Sequence, residues 1–382
     1  MCLATPTWEG DYNKSTVQLM SLVASTRRVL YVDYPYTLKD VVSGLLGGRV
    51  PVRRILGLER RLRKMDASPP AHLFVYTPPP TLPINWVPLS FLYRILLKVN
   101  NWIVMRGTQR TMRTLGMVHP VVVNALNPFY GLYFMQKLAP RKVVYYCYDE
   151  ISAAPWLSKH GAAAERQFVK KVDAIVTSSA ALYQKKLAYG RPCFLVKNGV
   201  SFDLFHQYSN APSDTSPTVV GYVGSLDERI DYALLEYIIR QSPQLPFRFV
   251  GRVIATDSVD ALRKYDNVVL LPPVAYAEVP KHVSDLAVGI IPFVKNEFTR
   301  FIYPLKVNEY LAVGKPVVMT NFTQLQEFAK VAQICDSKES FLRGIHQALL
   351  DTDEAMRTER TRVARQNSWE HRTQKFLEVL ND

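Results

Sequence analysis

Short runs that are apolar at every position alternate along this chain with stretches whose apolar residues recur at helical spacing. In the first half, RVLYVD (28–33), 72–76, PVVVNA (120–125), KVVYYCY (142–148), DAIVT (173–177) and 193–196 read as strands, and residues 2–5 as a clipped first strand. Helical patterns fall between them, at 14–25, 88–116, 128–138, 160–171 and 179–188. The second half repeats the arrangement, with strands at TVVGYV (218–223), 247–250, NVVLL (267–271), DLAVGII (285–291), 316–319 and 331–335. Strands that are apolar throughout and separated by helices predict parallel sheets covered on both faces. The stretch HQYSNAPSDTSP (206–217) is polar and rich in Ser and Pro, so it reads as a linker. The expected fold is therefore α/β: two tandem Rossmann-like, doubly wound domains at 1–205 and 218–367, followed by a separate helix at 368–382. Such sheets bind ligands beyond their C-terminal strand ends, so the cleft between two facing domains is the expected site.

One segment departs from plain alternation. YPLKVNEYLAVGKPVV (303–318) opens a helix with Pro304, where a missing N–H costs nothing, and closes it with Gly314, where a left-handed conformation is needed. Lys306 and Glu309 share one face of that helix. The N-terminus of a helix favours anions, a lysine adds a mobile charge for phosphate oxygens, and a glutamate one turn deeper suits a ribose diol. The plain alternative is an exposed ion pair on a surface helix. Upstream, VVGYVGSLDERIDYALL ends a strand at Val223, turns at Gly224–Ser225 and predicts a helix from about Asp227. This is the generic phosphate cradle, without a full G-x-G-x-x-G. Arg229, expected in the first helical turn, suits a phosphate or a pairing with Glu228 or Asp231.

Composition changes the picture mainly through charge. At 382 residues and 48% hydrophobic, the chain suits two globular domains. Its net charge of +14 is uneven: residues 1–200 carry 27 Lys/Arg against 10 Asp/Glu, whereas 201–382 carry 20 against 23. Four scattered cysteines without a C-x-x-C pair predict reduced thiols in a cytoplasmic protein, not a disulfide scaffold or zinc site. The N-terminus lacks a signal-peptide pattern, and the most apolar long window, 86–105, is interrupted by Arg94 and Lys98.

PLKVNEYLAVGKPVV, YVGSLDERID, KNGVSFDLF (197–205) and the terminal pattern Trp369, Arg372, Phe376, Leu377 together resemble the retaining glycosyltransferases of family 4 and their GT-B relatives. The likeness is closest to bacterial enzymes of cell-wall, capsular and secreted polysaccharide synthesis. It is strongest over 143–205 and 218–320 and weak over 35–118. The resemblance implies a retaining transferase of hexosyl type, with an acceptor-binding first domain and a second domain that binds a UDP- or GDP-sugar. The last helix would cross back to the first domain. Glu309 matches the second glutamate of the family's E-x7-E motif, which holds the ribose. Lys306 and Arg229 match basic positions for the pyrophosphate, next to Gly224. The first glutamate of the motif is replaced by Phe301, leaving Glu297, Thr299 and Arg300 as substitutes near the donor sugar. Asp149, just past a strand end in VVYYCYDEISAAPW, falls where the family places a histidine or acid beside the reacting sugar. Its alternative role is to cap the following segment at Ser152. The loop TPTWEGDYNKST, with Trp8, Gly10 and Asp11, would border the acceptor or simply cap a helix.

No metal is expected. The single D-x-D, Asp351–Thr352–Asp353, reads as a helix N-cap, and the histidines form no ligand pattern. The basic first half is concentrated: residues 49–64 hold seven basic residues against one acid, and Ala67–Tyr148 hold eight basic residues and no acid. With tryptophans and leucines interleaved, this suits an anionic membrane surface and a lipid-linked glycan acceptor. It places the protein in the cytoplasm, peripherally on the inner face of the plasma membrane. No nucleic-acid motif or stacking platform is present. The competing readings are a non-catalytic polyanion or nucleic-acid binder on the same scaffold, for which Phe301 argues, and a sugar-nucleotide epimerase of similar fold.

Overall fold

The consecutive apolar runs become inner strands because each is covered on both faces. The structure, a computed structural model, describes residues 1–10, 14–48, 50–65, 72–88, 91–153, 155–209 and 218–381, without the side chains of 155–158. By their packing, the residues divide into two units, Met1–Lys197 with Thr373–Asp382, and Asn198–Arg372.

The first unit is built on β1 (Cys2–Ala4), β2 (Val29–Val32), β3 (Leu62–Lys64), β4 (Leu73–Tyr76), β5 (Val121–Ala125), β6 (Lys142–Cys147), β7 (Ala174–Thr177) and β8 (Cys193–Leu195). They lie in the order β3-β4-β2-β1-β5-β6-β7-β8, all parallel except the β3–β4 pair. Leu3 lies beside Val32, Ala4 beside Ala125, and Ala125 beside Tyr146, so these four strands release the chain along one edge. β3 was not expected from the sequence. It is a short edge strand, LRK, whose charged side chains carry no apolar signal and protect an open edge from further pairing. The helix Leu38–Leu45 was also missed, although Thr37 and Asp40 form a full capping box at its start.

The second unit contains β9 (Val220–Val223), β10 (Phe247–Val250), β11 (Val268–Leu271), β12 (Val288–Ile291), β13 (Val317–Thr320) and β14 (Gln333–Cys335). Their order is β11-β10-β9-β12-β13-β14, with parallel pairing throughout. Val223 lies beside Val250, which lies beside Leu271, so three strands end level with one another.

The domain limits shift from those read in the sequence. Residues 198–205, expected in the first domain, belong to the second unit, where Val200, Phe202 and Phe205 join its hydrophobic core. Of the expected linker, 206–209 close the helix Phe202–His206, and 210–217 lie outside the described residues. The helix Trp369–Asn381 starts on the second unit, where Trp369 N–H donates to the Val200 carbonyl. From Thr373 onward it packs on the first unit. There Phe376 meets Tyr146 edge-on at 5.8 Å, and Lys142 Nζ donates to the Val379 carbonyl at 2.6 Å.

Candidate functional site

The level ends of β9 and β10 are followed by two glycines that let backbones touch. Gly224 N–H donates to the Val250 carbonyl at 2.8 Å, extending the strand ladder by one residue. Gly251 has φ +150°, and a Cβ there would stand 2.1 Å from the Gly224 carbonyl oxygen. A Cβ on Gly224 would in turn lie 2.2 Å from Lys306 Cε. The aliphatic stem of Lys306 therefore lies directly on the Gly224 backbone, in space that only glycine leaves open.

Lys306 stands in the first turn of the helix Leu305–Ala312. Pro304 is the N-cap of that helix, one position earlier than expected, and Gly314 closes it at φ +82°. Lys306 Nζ is 3.3 Å from Glu309 Oε2, with side chains 22% and 7% exposed respectively. The pair is thus partly buried at a strand-end edge, unlike the exposed surface pair of the alternative reading. Gly224, Lys306 and Glu309 come together as a single feature.

Residues that sequence reasoning missed hold this helix in place. The Tyr310 hydroxyl, fully buried, accepts Val223 N–H at 3.0 Å, tying the helix to the last residue of β9. On the other side, Asn308 Nδ2 donates to the Tyr303 hydroxyl at 3.0 Å and Asn308 Oδ1 accepts from Asn367 at 2.9 Å. The string VNEY contained both residues, but Val223 and Asn367 lie far away in the chain and no local pattern names them as partners.

Arg229 is placed differently from expectation. The helix expected from Asp227 begins at Tyr232, with Asp231 as a true N-cap accepting Leu234 N–H at 2.8 Å. Residues 224–231 form a loop instead, pinned to the end of β12 by Asp231 N–H on the Pro292 carbonyl at 2.7 Å. The Arg229 guanidinium forks onto Asp227, not onto Glu228 or Asp231, and lies 5.6 Å from the Phe293 ring centre. Burial pushes the Tyr222 hydroxyl well above its ordinary range, and the charges of Arg229, Asp227 and Glu309 all act on it.

The substitutes proposed for the missing glutamate are occupied. Thr299 is fully buried in the turn Thr299–Phe301, and its hydroxyl donates to the Val294 carbonyl, closing its own loop. Phe301 is buried with the Arg300 guanidinium 5.7 Å from its ring centre, and the exposed Glu297 pairs with Arg300 at 3.2 Å.

In the first unit, Trp8 and Gly10 follow β1 and Asp149 follows β6, at the edge where those strands end. Asp11 lies outside the described residues. Trp8 N–H donates to Asp33 Oδ1 at 2.7 Å, and Thr77 Oγ1 donates to Oδ2 at 3.0 Å. Burial raises the Asp33 carboxyl to about 6 despite these two hydrogen bonds. Asp33 ends the run RVLYVD and was passed over. Gly10 has φ +151° and lies against Lys14, whose Nζ donates to the Thr7 carbonyl at 2.6 Å. Glu9 pairs with Arg54 at 2.8 Å and also with Arg63.

Asp149 is half-buried. The capping role considered for it falls to its neighbour: Glu150 Oε1 accepts Ser152 Oγ at 2.6 Å and Ser152 N–H at 3.2 Å. Glu150 also pairs with Lys186 at 3.1 Å, and Lys186 with Glu165 at 2.8 Å, all three buried. Burial pushes the Glu150 carboxyl up, but Lys186, Ser152 and Lys185 outweigh it and leave it below the ordinary range. This ion network stands directly behind the Asp149 turn. Among the described residues, no group of three or more His, Cys, Asp or Glu could hold a metal ion. Asp353 N-caps the helix Glu354–Gln366 and accepts Ala355 N–H at 2.8 Å.

Residues 217–351 match the family model described as Glycosyl transferases group 1. The match falls within the second unit. The chain is also 28% identical over 222 residues to TuaH of Bacillus subtilis, a protein named for glycosyltransfer in teichuronic acid biosynthesis. That match covers 54% of this chain and 56% of TuaH, so it spans little more than half of the relative. Among solved structures, the sucrose-phosphate synthase of Thermosynechococcus elongatus superposes with a TM-score of 0.72 at 16% identity, covering 100% of this chain and 98% of that one. Anabaena HepE, solved in complex with UDP, gives a TM-score of 0.68 at 14% identity, with coverage of 100% and 99%. At such identities the likeness is one of fold, and the fold is GT-B.

Proposed function

We propose that this chain is a retaining, nucleotide-sugar-dependent glycosyltransferase that passes a hexose from a UDP- or GDP-sugar to a lipid-linked glycan acceptor. The observation that carries the reading is Lys306 lying on the Gly224 backbone and paired with a buried Glu309. A glycine turn at a strand end, a helix N-terminus and a lysine make a diphosphate site, and the carboxylate one turn deeper suits a ribose diol. The group 1 match over this unit, the name of TuaH and the nucleotide in HepE support the same reading.

Glu309 accepts the ribose hydroxyls, while Lys306 and the helix N-terminus stabilise the charge that develops on the departing phosphate. Arg229 reaches that phosphate only by leaving Asp227, so it serves as a secondary clamp. In retaining transfer the acceptor hydroxyl enters on the face the phosphate leaves, and the phosphate oxygen takes its proton. Asp149 orients the acceptor or steadies the oxocarbenium-like sugar, and the Trp8–Gly10–Asp11 loop borders the acceptor. No metal is required. The basic first unit supports a peripheral position on the inner face of the plasma membrane, where a lipid-linked acceptor would be met. Nucleotide release from a panel of nucleotide sugars, followed by NMR of the product anomer, tests the proposal. Turnover with a retained anomer in the presence of chelator is the expected result. Inversion, or an absolute manganese requirement, overturns the mechanism. Tight nucleotide binding without transfer to any acceptor favours the non-catalytic reading, for which the buried Phe301 argues.

A further inference from the structure

The helix Phe91–Thr114 buries one side and leaves a row of apolar residues exposed on the other. Its covered side carries Tyr93, Val104, Met105 and Met112 and, among them, four polar residues, Asn100, Asn101, Thr108 and Thr111, all buried. Each finds a partner there: Asn100 holds both backbone groups of Leu82, Asn101 bonds to the Leu97 and Phe129 carbonyls, and the threonines bond back into their own helix. The outward side of the first three turns carries Phe91, Leu92, Ile95, Val99 and Trp102, exposed by 75%, 56%, 41%, 40% and 53%. Spacings of four, four and three residues place 91, 95, 99 and 102 on one stripe. Trp86, 74% exposed, lies in the preceding loop, which Asn100 anchors to this helix through Leu82. Single exposed apolar residues are ordinary, but a continuous stripe of this kind marks an interaction surface.

Charge identifies the occupant. Arg94 and Lys98 flank the stripe, and Arg106, Arg110 and Arg113 continue the exposed side of the same helix toward its C-terminal end. Among the described residues none of the five pairs with a carboxylate, and no acidic residue occurs between Ala67 and Tyr148 in the sequence. The Arg106 guanidinium lies 5.4 Å from the Trp102 ring centre, at the junction of the apolar and basic halves. An apolar partner protein would not call for five uncompensated cations around its seat. An anionic bilayer does, because aromatic and aliphatic groups settle at the acyl boundary while arginines stay with headgroup phosphates. The other basic cluster is a weaker candidate, since Arg54 and Arg63 of residues 49–64 are both committed to Glu9.

We infer that the outward face of the helix Phe91–Thr114 is the membrane-docking surface of the protein. Its first three turns bed among anionic lipids, and Arg106, Arg110 and Arg113 lie against their headgroups. The inference deepens the reading of a lipid-linked acceptor and rests on it for its purpose, but its test does not depend on catalysis.

Co-sedimentation with vesicles of phosphatidylglycerol and phosphatidylcholine, against phosphatidylcholine alone, reads docking directly. The wild type should bind the mixed vesicles and release them as salt rises. Replacing Phe91, Ile95 and Trp102 by serine should weaken partitioning by ~100-fold, with the thermal transition unchanged because these side chains are exposed. Replacing Arg106, Arg110 and Arg113 by glutamine should remove most of the salt dependence and weaken binding by ~10-fold or more. The wild-type tryptophan emission should shift to the blue on binding, and the shift should shrink in Trp102→Phe. If the serine variant binds vesicles like the wild type, the inference falls. It also falls if the wild type ignores anionic vesicles and sedimentation equilibrium finds a dimer that the serine variant dissolves, since a second copy then covers the face. Binding lost only on changing Arg53, Arg60 and Arg61 moves the contact to residues 49–64 and overturns it equally. UDP and GDP titrations on the same preparations separate the two claims. Docking with no nucleotide affinity counts against the proposed function alone, and nucleotide affinity without docking counts against this inference alone.

Discussion

The two units handle charge in opposite ways at the edges where their strands end. In the second, the partly exposed Lys306 pairs with a buried Glu309 and lies on a backbone kept bare by Gly224, so a ligand can replace their mutual contact at small cost. In the first, the Lys186–Glu150–Glu165 cluster is buried and closed on itself, with Tyr145 donating to Glu165 at 2.8 Å. The lesson is that a buried charge network in this protein fixes a loop, whereas a half-open pair over a glycine is left for binding.

Breaking the closed network should give the largest effect. Lys186→Met removes the cation from the buried Glu165 and leaves Glu150 only the partly exposed Lys185 at 3.2 Å, and should destabilise the protein by ~3–5 kcal/mol in urea unfolding. A loss below ~1 kcal/mol would mean the cluster is solvated and the contrast between the units is false.

The next effect has the opposite sign and depends on pH. The Asp33 carboxyl stands at about 6 in the folded chain against an ordinary 3.8, so the folded state holds its proton more tightly than the unfolded one. Its contribution is fully present below about pH 4 and is lost as pH rises through about 6. At pH 7.5 the buried charge then costs on the order of 3 kcal/mol, a net figure that already includes its two hydrogen bonds. Asp33→Asn should therefore raise the unfolding midpoint at pH 7.5 and leave it nearly unchanged at pH 4. A variant destabilised at both values would show that the ionised carboxylate is what holds the Trp8 loop.

Opening the binding pair should act on ligand and not on fold. Lys306→Ala should weaken nucleoside diphosphate binding by ~1.5–3 kcal/mol, roughly ten- to hundredfold by calorimetry, with the thermal transition in place. Glu309→Gln should weaken nucleoside diphosphate while sparing pyrophosphate; equal losses for both ligands would separate Glu309 from the ribose. The smallest effect belongs to Arg229→Gln, ~1 kcal/mol or less in nucleotide affinity, because its guanidinium is already held by Asp227. A loss as large as that of Lys306→Ala would show that Arg229 swings from Asp227 onto the ligand.

Much of this was legible in one dimension. A strand buried on both faces must be apolar at every position, so the inner strands of both sheets stood out as uninterrupted runs. Pro304 and Gly314 bounded their helix because both residues restrict or free φ locally, and Lys306 and Glu309 shared a face by helical period alone. These are properties of adjacent residues, and adjacency is what a sequence displays. Tertiary structure decided everything that depends on distant partners. It chose Asp227 for Arg229, gave Ser152 to Glu150, set the Trp8 N–H on Asp33 and carried the Tyr310 hydroxyl to Val223. It also turned Phe301 inward, committed the Thr299 hydroxyl to its own loop and left Phe91, Ile95 and Trp102 outward. A side chain's charge or apolarity is written in the sequence, but whether that property meets a partner, a ligand or water is settled only by which surfaces the packed chain brings together.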